Sequence, residues 1–178
     1  DLAQLIRNLR QVNPQATIGV KVPSVTNLGT IAVGVAKAGA DVITVSGCMG
    51  GTGAAYSGSI FHAGLPLERG LAETHQYLLQ NGLRERVRLV ADGGIKYGED
   101  VAKTLALGAD AVGFGTALLI AENCVFCRGC NHGNCPVGIT TQDPKKQQKR
   151  FMVKHNAELK QIAVDERYLE AKQGLIRY

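Results

Sequence analysis

The sequence predicts an α/β protein, namely the last four strands of a (β/α)8 TIM barrel with their helices. Four short apolar runs alternate with segments of helical periodicity, as parallel strands joined by helices require. Glycine-rich or polar residues follow each run, so special residues gather at the carboxyl ends of the strands, where barrel enzymes place their sites. Four parallel strands cannot close a barrel, so we expect a partner half; a flavodoxin-like open sheet is the structural alternative.

The predicted elements follow from local patterns. Apolar residues at helical spacing predict the first helix, which Asn13-Pro14 ends. The second strand is almost continuously apolar, which is typical of a sheet buried on both faces. In chain order the predictions are helix 2–12, strand 17–22, helix 30–37, strand 41–46, helix 66–81, strand 87–91, helix 101–107 and strand 111–114.

Two segments fall outside this alternation. Residues 47–66 form a glycine-rich loop, and loops of this length in compact domains usually carry function. Residues 145–173 form a polar, helical tail that we expect to pack on something outside this sequence. The predicted divisions are 1–122 for the half barrel, 123–140 for a cluster loop and 141–178 for the tail.

Composition restricts the class of protein. The 178 residues are 45% hydrophobic and include 22 glycines, which suffices for one domain with a core. The net charge of +5 is spread along the chain, and its densest basic run, within residues 145–150, is typical of a solvated helix face or of a docking surface for an anionic partner. Scarce aromatic residues argue against nucleic-acid binding, and no segment resembles a signal peptide or a membrane span.

Two glycine turns predict a phosphate-binding site. Asp92-Gly93-Gly94 ends the third strand, and residues 113–116 (GFGT) end the fourth. Glycines let backbone N–H groups approach a ligand closely, and each turn leads into a helix whose amino terminus favours an anion. In a (β/α)8 barrel the usual phosphate site lies after strands seven and eight, which these two strands would be.

The cysteine run is the strongest local signal. Cys124, Cys127, Cys130 and Cys135 have the spacing C-x2-C-x2-C-x4-C-P, which is one residue longer than the bacterial ferredoxin pattern. The spacing favours an iron–sulfur cluster, with tetrahedral zinc and an unligated loop as the alternatives. Clustered cysteines argue for ligation in a reducing, cytoplasmic compartment rather than for a secreted disulfide framework. Cys48 stands apart and is typical of a small buried side chain rather than of a nucleophile.

These motifs together match a known family. The stretch from SGCMGGTGAAYSG to VADGGIKYGEDVAKTLALGADAVGFGT, with the cysteine run and NCPVGITTQ, closely resembles the flavin domain of glutamate synthase, over residues 20–150. The resemblance implies an FMN-binding (β/α)8 barrel that carries an iron–sulfur cluster. The activity it implies is reductive amination, in which 2-oxoglutarate and ammonia form 2-iminoglutarate and reduced FMN converts this imine to L-glutamate.

The resemblance also implies roles for individual residues. Lys21 matches the lysine of the family's VK motif, where a cation would stabilise reduced flavin and hold a substrate carboxylate; a strand-end lysine reaching solvent is the alternative. The residues that match the flavin-site motifs are Ser46, Gly47, Gly51, Thr52, Gly53, Asp92, Gly93, Gly94, Gly113, Gly115 and Thr116. Cys124, Cys130 and Cys135 match the family's three ligands of a 3Fe–4S cluster.

Two departures from the family pattern stand out. Cys127 is an additional thiol, which could complete a 4Fe–4S cluster. Cys48-Met49 occupies the position of a His-Asp pair that is frequent in the family. The second departure points to a divergent branch, either a stand-alone synthase domain or a relative acting on another amine.

The motifs that this sequence lacks imply partners. It contains neither an amino-terminal cysteine nucleophile nor a Rossmann fingerprint. We therefore expect ammonia from a glutamine amidotransferase domain or subunit, electrons from ferredoxin or a flavoprotein subunit, and the amino-terminal half of the barrel from elsewhere. An IMP dehydrogenase-like barrel is an alternative enzyme, but its catalytic-cysteine pattern is not found. An FMN and iron–sulfur electron-transfer subunit that turns over no substrate is a third interpretation.

Overall fold

The computed structural model describes residues 1–147. The described residues form two compact units: the first comprises residues 1–51 and 57–115, and the second comprises residues 52–56 and 116–147. The elements are α1 (Leu2–Val12), β1 (Gly19–Pro23), α2 (Leu28–Lys37), β2 (Val42–Ser46), α3 (Ser57–His62), α4 (Leu67–Gln80), β3 (Arg88–Asp92), α5 (Gly98–Ala106), β4 (Ala111–Val112) and α6 (Thr116–Ala121), with short 3-10 turns at Arg84–Arg86 and Cys130–His132. None of the described helices is long and apolar enough to cross a membrane. Most of the predicted tail lies outside the described residues.

The predicted alternation of helices and strands is confirmed, with differences in detail. Helix α1 has the predicted bounds, whereas β1 begins at Gly19 rather than at residue 17. Helix α3 was not predicted, because six residues are too few to display an amphipathic pattern inside a glycine-rich loop. Strand β4 has two residues, fewer than predicted, and its pairing stops before the 113–116 turn.

The sheet is parallel throughout, and its strands lie in the order β1-β2-β3-β4. The register places Pro23, Ser46 and Asp92 side by side at the carboxyl ends of three strands. Neighbouring strands of a barrel follow one another in chain order, as these four do. In the flavodoxin-like order the second strand lies at an edge and the first strand lies inside the sheet. The described strands therefore lack the order of a flavodoxin-like sheet, and closure into a barrel stays a prediction.

The two faces of the sheet differ in burial. Ile43, Val45, Leu89 and Ala91 point to one face and are 0% exposed. Ser46 and Asp92 lie on the other face and are half-buried, and Lys21 and Pro23 on the same face are exposed. The buried core lies on the first face only, so the expected burial of both faces does not occur within the described residues.

Helices α2 and α4 pack against each other over the buried face. Leu28, Leu71 and Leu78 are completely buried between these helices and the sheet. A glycine permits the close approach, because a Cβ on Gly29 would lie 2.5 Å from Cγ of the Tyr77 ring. The helix pair thereby fixes the segment that connects β2 to β3.

An arginine–aspartate brace fixes the amino-terminal ends of β1 and β2. The Arg10 guanidinium donates to Gly39 O at 3.0 Å and to Asp41 Oδ2 at 2.9 Å. Asp41 Oδ2 also accepts the Ile18 N–H at 2.7 Å. The Ile18 N–H lowers the pKa of Asp41 below its ordinary value, burial opposes this, and Arg10 adds to the lowering.

The same brace recurs at the amino-terminal ends of β3 and β4. Arg84 donates to Gly108 O at 2.8 Å and to Asp110 Oδ1 at 2.7 Å, while Asp110 Oδ2 accepts the Leu89 N–H at 2.7 Å. Burial acts to raise the pKa of Asp110, but the Arg84 guanidinium and the Leu89 N–H outweigh it, so the pKa lies below its ordinary value. The two halves of the sheet are thus built alike.

Candidate functional site

The loops after β2 and β3 cross backbone to backbone at the carboxyl end of the sheet. The Gly47 N–H donates to Asp92 O at 2.9 Å. A Cβ on Gly93 would lie 2.7 Å from Gly47 N and 2.8 Å from Gly47 O, and one on Gly47 would lie 2.7 Å from the Cβ of Leu67. Gly93 also has φ 97°, which L-residues rarely adopt. Both positions therefore require glycine.

Gly50 belongs to this crossing, although sequence reasoning did not single it out. A Cβ there would lie 2.8 Å from Ser46 Oγ and 3.2 Å from Gly93 Cα. Its neighbour Gly51, which was predicted as a site residue, has φ 117°. The adjacent glycines Gly50 and Gly51 were the sequence signal that could have identified this contact. Gly50 packs closely against the neighbouring loop, and Gly51 has the backbone conformation that favours glycine.

The other predicted glycines of the first unit lie at the same end of the strands. Gly94 has φ 102°, and a Cβ there would lie 2.9 Å from the Cβ of Met49, which therefore covers the turn after β3. Gly113 follows β4, and its Cβ would lie 3.2 Å from the Cβ of Asp92. A Cβ on Gly115 would meet open space. The structure thus brings Gly113 against Asp92.

Lys21 and Asp92 form an ion pair at this end of the sheet. Lys21 Nζ lies 2.5 Å from Asp92 Oδ2, and the side chains are 59% and 24% exposed. Asp92 Oδ1 is buried and has no hydrogen-bond partner in the part of the chain that the structure describes. A buried acceptor without a donor is costly, so a ligand that offers a hydroxyl or an N–H at this point would be stabilised.

The glycine-rich loop is held at both its ends by Ser24. The Ser24 N–H donates to Ser46 O at 2.7 Å, and Ser24 O accepts the Leu65 N–H at 2.8 Å. Ser24 Oγ donates to Pro66 O at 2.9 Å, and the Cys48 N–H donates to Leu65 O at 3.0 Å. Ser24 is buried and was not predicted as a site residue, since a serine after a strand carries no distinctive sequence signal. Cys48 is half-buried rather than fully buried.

The Asp100 carboxylate caps the amino terminus of α5. Asp100 Oδ2 accepts the N–H groups of Lys96 and Tyr97, both at 3.0 Å. These N–H groups, first Lys96 and then Tyr97, lower the pKa of Asp100, and burial opposes them. The carboxylate thus occupies two of the N–H groups that lead into the helix, and the phosphate site at the glycine turn stays a prediction.

The remaining predicted flavin-site residues belong to the second unit. Thr52 O accepts the Ala55 N–H at 3.0 Å, and a Cβ on Gly53 would lie 3.0 Å from Cys130 Sγ. Arg128 Nη1 donates to Ala55 O at 2.7 Å. Residues 52–56 therefore lie against the cysteine loop. Thr116 is the first residue of α6.

The four clustered cysteines differ in exposure. Cys135 is buried, Cys124 and Cys130 are half-buried, and Cys127 is exposed. Within residues 1–147, no group of three or more histidine, cysteine or acidic side chains is close enough to hold a metal ion. The structure places the predicted ligands on one loop of the second unit but does not gather them into a metal site.

Cys135 has the surroundings of a thiolate. Burial acts to raise the pKa of its thiol, but the N–H groups of Thr140, Ile139 and Val137 and the Thr140 hydroxyl lower it to about 7. A turn, in which the Gly138 N–H donates to Cys135 O at 3.2 Å, folds these residues back over the sulfur. Converging N–H donors are typical of cluster-binding thiolates.

Two polar residues of α4 have structural partners. Glu73 Oε1 accepts the Gly29 N–H in the first turn of α2 at 3.1 Å. His75 Nδ1 accepts from Arg84 Nε at 3.1 Å, and a Cβ on Gly108 would lie 2.3 Å from the imidazole. Both residues belong to the packing that supports the sheet rather than to the candidate site.

The chain matches a protein family over almost its whole length. The family model "conserved region in glutamate synthase" matches residues 1–167. The chain is 54% identical over 149 residues to the glutamate synthase [NADPH] large chain of Azospirillum brasilense, covering 84% of this chain and 10% of that one. It is 56% identical over 142 residues to ferredoxin-dependent glutamate synthase 2, chloroplastic, of Arabidopsis thaliana, covering 80% of this chain and 9% of that one. The chain thus spans about a tenth of the length of these relatives.

A solved structure resembles the fold. It is a mutant of flavocytochrome b2 with benzoylformate, with a TM-score of 0.54 and 24% sequence identity. The match covers 71% of this chain and 29% of that one. At this identity the likeness concerns the fold alone.

Proposed function

The chain belongs to the family defined by the conserved region of glutamate synthase, and on this premise we propose that it is the flavin- and cluster-bearing part of such an enzyme. The proposed reaction reduces 2-iminoglutarate, formed from 2-oxoglutarate and ammonia, to L-glutamate. Ammonia would come from an amidotransferase domain or subunit and electrons from ferredoxin or a flavoprotein subunit. The proposed location is the cytoplasm.

One observation supports FMN at the strand ends more than any other. The buried Asp92 Oδ1 has no donor among the described residues, and it lies beside the backbone crossing of Gly47 and Gly93. FMN offers both ribityl hydroxyls, which can donate to a carboxylate, and a phosphate, which needs close backbone N–H groups. The residues present therefore fit this cofactor.

We assign the first-unit contacts to the residues at the strand ends. The proposed FMN-binding residues of this unit are Ser46, Gly47, Gly51, Asp92, Gly93, Gly94, Gly113 and Gly115. When bound, FMN supplies the hydride that the imine carbon accepts. The Lys21 ammonium would stabilise negative charge on the reduced flavin and hold a substrate carboxylate, which is electrostatic stabilisation rather than proton transfer.

The second unit would carry the iron–sulfur cluster. Cys124, Cys130 and Cys135 are the proposed iron ligands, with Cys127 as a fourth if the cluster is 4Fe–4S. The donor set is all thiol, and the N–H donors around Cys135 suit a thiolate. Thr52, Gly53 and Thr116, which also belong to this unit, stay flavin-site residues predicted from the sequence.

We also propose that the sheet is the second half of a (β/α)8 barrel. Its helix-free face carries Lys21, Ser46 and Asp92, which are residues suited to a barrel interior and its catalytic end. Strands β1 and β4 are edges in the described sheet. An amino-terminal half would pair with both edges and cover this face.

The experiment is an anaerobic spectroscopic study of the protein purified in its native assembly. We expect flavin absorbance, iron with acid-labile sulfide, and flavin reoxidation that requires 2-oxoglutarate and ammonia together. Cys130→Ser should lose iron, whereas Cys48→Ser, a cysteine outside the cluster loop, should retain it. Zinc in place of iron, or an assembly without flavin, would refute the proposal. A flavin that the partner reduces but that ignores 2-oxoglutarate and ammonia would instead identify an electron-transfer subunit.

A further inference from the structure

The amine of Lys21 needs an anchor to act at a fixed point. Its side chain is 59% exposed, and a lysine ammonium on a flexible four-carbon stem has many positions available in solvent. Lys21 lies on β1, the first strand of the described sheet. Whatever stabilisation the ammonium gives to charge at the strand ends therefore depends on a group that holds it there.

Asp92 is the fixed member of the pair. It is the last residue of β3, its carbonyl accepts the Gly47 N–H, and Gly113 leaves just enough space beside its Cβ. Its side chain is 24% exposed, less than half the exposure of the lysine. The 2.5 Å contact between Lys21 Nζ and Asp92 Oδ2 therefore positions the lysine on the aspartate.

The position of this pair separates it from the other ion pairs of the first unit. Among the described residues, the two arginine–aspartate braces lie at the amino-terminal ends of the strands, and the Lys103–Asp100 pair lies on α5. The Lys21–Asp92 pair is the one at the carboxyl ends, where the site lies. Partly exposed pairs contribute little to stability, so the value of this pair is geometric.

We propose that Asp92 is a positioning residue for Lys21, holding the ammonium where it stabilises the reduced flavin. This inference rests on the proposed function. It assigns to Asp92 Oδ2 a role separate from that of Oδ1, which faces the cofactor in the proposal above. Asp92 would act on the flavin through Lys21, by fixing the place of the positive charge.

The first measurement is the FMN midpoint potential of the native assembly, by spectroscopic titration against a reference dye. Lys21→Met removes the cation and should shift the potential to more negative values. Asp92→Asn should shift it in the same direction, because a neutral amide holds the ammonium less well. In the Lys21→Met background, Asp92→Asn should cause no further negative shift, since an anchor without its lysine has nothing to hold. Glu99→Gln, which removes an exposed negative charge elsewhere, is the control and should match the wild type.

The direction of the shift decides between two roles for Asp92. If the carboxylate acted only as a nearby negative charge, its removal would favour the reduced flavin and shift the potential to more positive values. That result, or a double variant whose shift is the sum of the two single shifts, would overturn the inference. A wild-type assembly without FMN would instead refute the proposed function, and the inference with it.

A second measurement needs no flavin. Labelling with an amine-reactive acetylating reagent, followed by mass spectrometry, reports how freely the Lys21 amine moves and reacts. We expect several-fold faster labelling of Lys21 in Asp92→Asn, an unchanged rate in Glu99→Gln, and a rate near that of the wild type in Asp92→Glu, which keeps the carboxylate. Equal rates in all four proteins would overturn the inference. If Asp92→Asn does not fold, Asp92→Ser, which also removes the carboxylate, replaces it in both measurements with the same expected results.

Discussion

A methyl group added at Gly93 should separate the loops that form the candidate site. In Gly93→Ala the Cβ would lie 2.7 Å from Gly47 N and 2.8 Å from Gly47 O, whereas non-bonded carbon contacts are optimal at about 3.5–4.0 Å. The opposing atoms are backbone and cannot rotate away. The variant also forces alanine to φ 97°.

Two costs add at this position. A non-glycine residue in a rare backbone region costs about 1–3 kcal/mol, and overpacking costs about 1–3 kcal/mol. Even the lower sum, about 2 kcal/mol, would raise the population of the opened loops by roughly 30-fold. Closing the crossing is what brings the turn after β3 against Ser46 and Gly47, so we expect Gly93→Ala to lose most of its FMN.

The assay combines flavin content with hydrogen exchange of the native assembly. Peptides covering residues 46–51 and 92–95 should exchange at least tenfold faster in Gly93→Ala. Gly34→Ala is the matched control, because a Cβ there meets nothing within 4 Å, and its exchange and flavin content should equal those of the wild type. Wild-type exchange in Gly93→Ala would refute the reasoning about the crossing. Faster exchange with full flavin content would refute the assignment of the crossing to FMN.

Three further predictions concern the brace, the core and the cluster. Asp110→Asn should speed hydrogen exchange at the start of β3 by a few-fold at neutral pH, and equal exchange there would contradict the role of this carboxylate. The pKa of Asp110 is lowered in the folded state, so its stabilising contribution is present above the unfolded pKa of about 3.9 and is lost as the pH falls through the folded pKa. Wild type and variant should therefore exchange at the same rate in acid. Leu78→Ala removes a fully buried side chain between α4 and the sheet and should lower the free energy of unfolding by about 2–5 kcal/mol, measured by hydrogen exchange of the core strands. Leu79→Ala, on the exposed side of the helix, is the control and should lower it much less. Similar losses in the two variants would contradict the described packing. If the wild type shows an EPR signal only after reduction, typical of 4Fe–4S, Cys127→Ser should convert it into one seen in the oxidised state, typical of 3Fe–4S, and an unchanged signal would show that Cys127 is not a ligand. If the wild type already shows the oxidised-state signal, Cys127→Ser should leave it unchanged, and its loss would contradict the three-ligand assignment.

The elements could be predicted because their signals are local. The apolar run of β2 and the periodicity of α1 specify a strand and a helix without reference to the rest of the chain. The position of the glycines at the carboxyl ends of the strands likewise followed from the sequence, whereas the site at that end stays a prediction. Strand order did not follow from local signals, since the same alternation fits both a barrel and an open sheet.

The contacts that shape the site could not be predicted, because they join residues far apart in sequence. Lys21 and Asp92 lie 71 positions apart, and nothing in either motif shows that they form a pair. Ser24 holds the glycine-rich loop through main-chain bonds, which any residue can make. The role of Asp100 could not be predicted for another reason. A carboxylate near a helix start is typical of a cap, and only the structure shows that it accepts the N–H groups of Lys96 and Tyr97.

The two ends of the sheet have different roles, and a sequence repeat occurs only at the amino-terminal ends of the strands. Gly39-Ala40-Asp41 and Gly108-Ala109-Asp110 are identical triplets, and each places an aspartate where it binds an arginine and the N–H of the preceding strand. At this end the task is the same for both strand pairs, which is to fix the register. At the carboxyl end the residues differ from strand to strand: lysine on β1, serine and glycine after β2, aspartate and glycine after β3. A ligand presents different chemical groups to each strand, so the residues that contact it need not repeat from strand to strand. The absence of a repeat at the carboxyl end therefore supports the proposal that the site lies there.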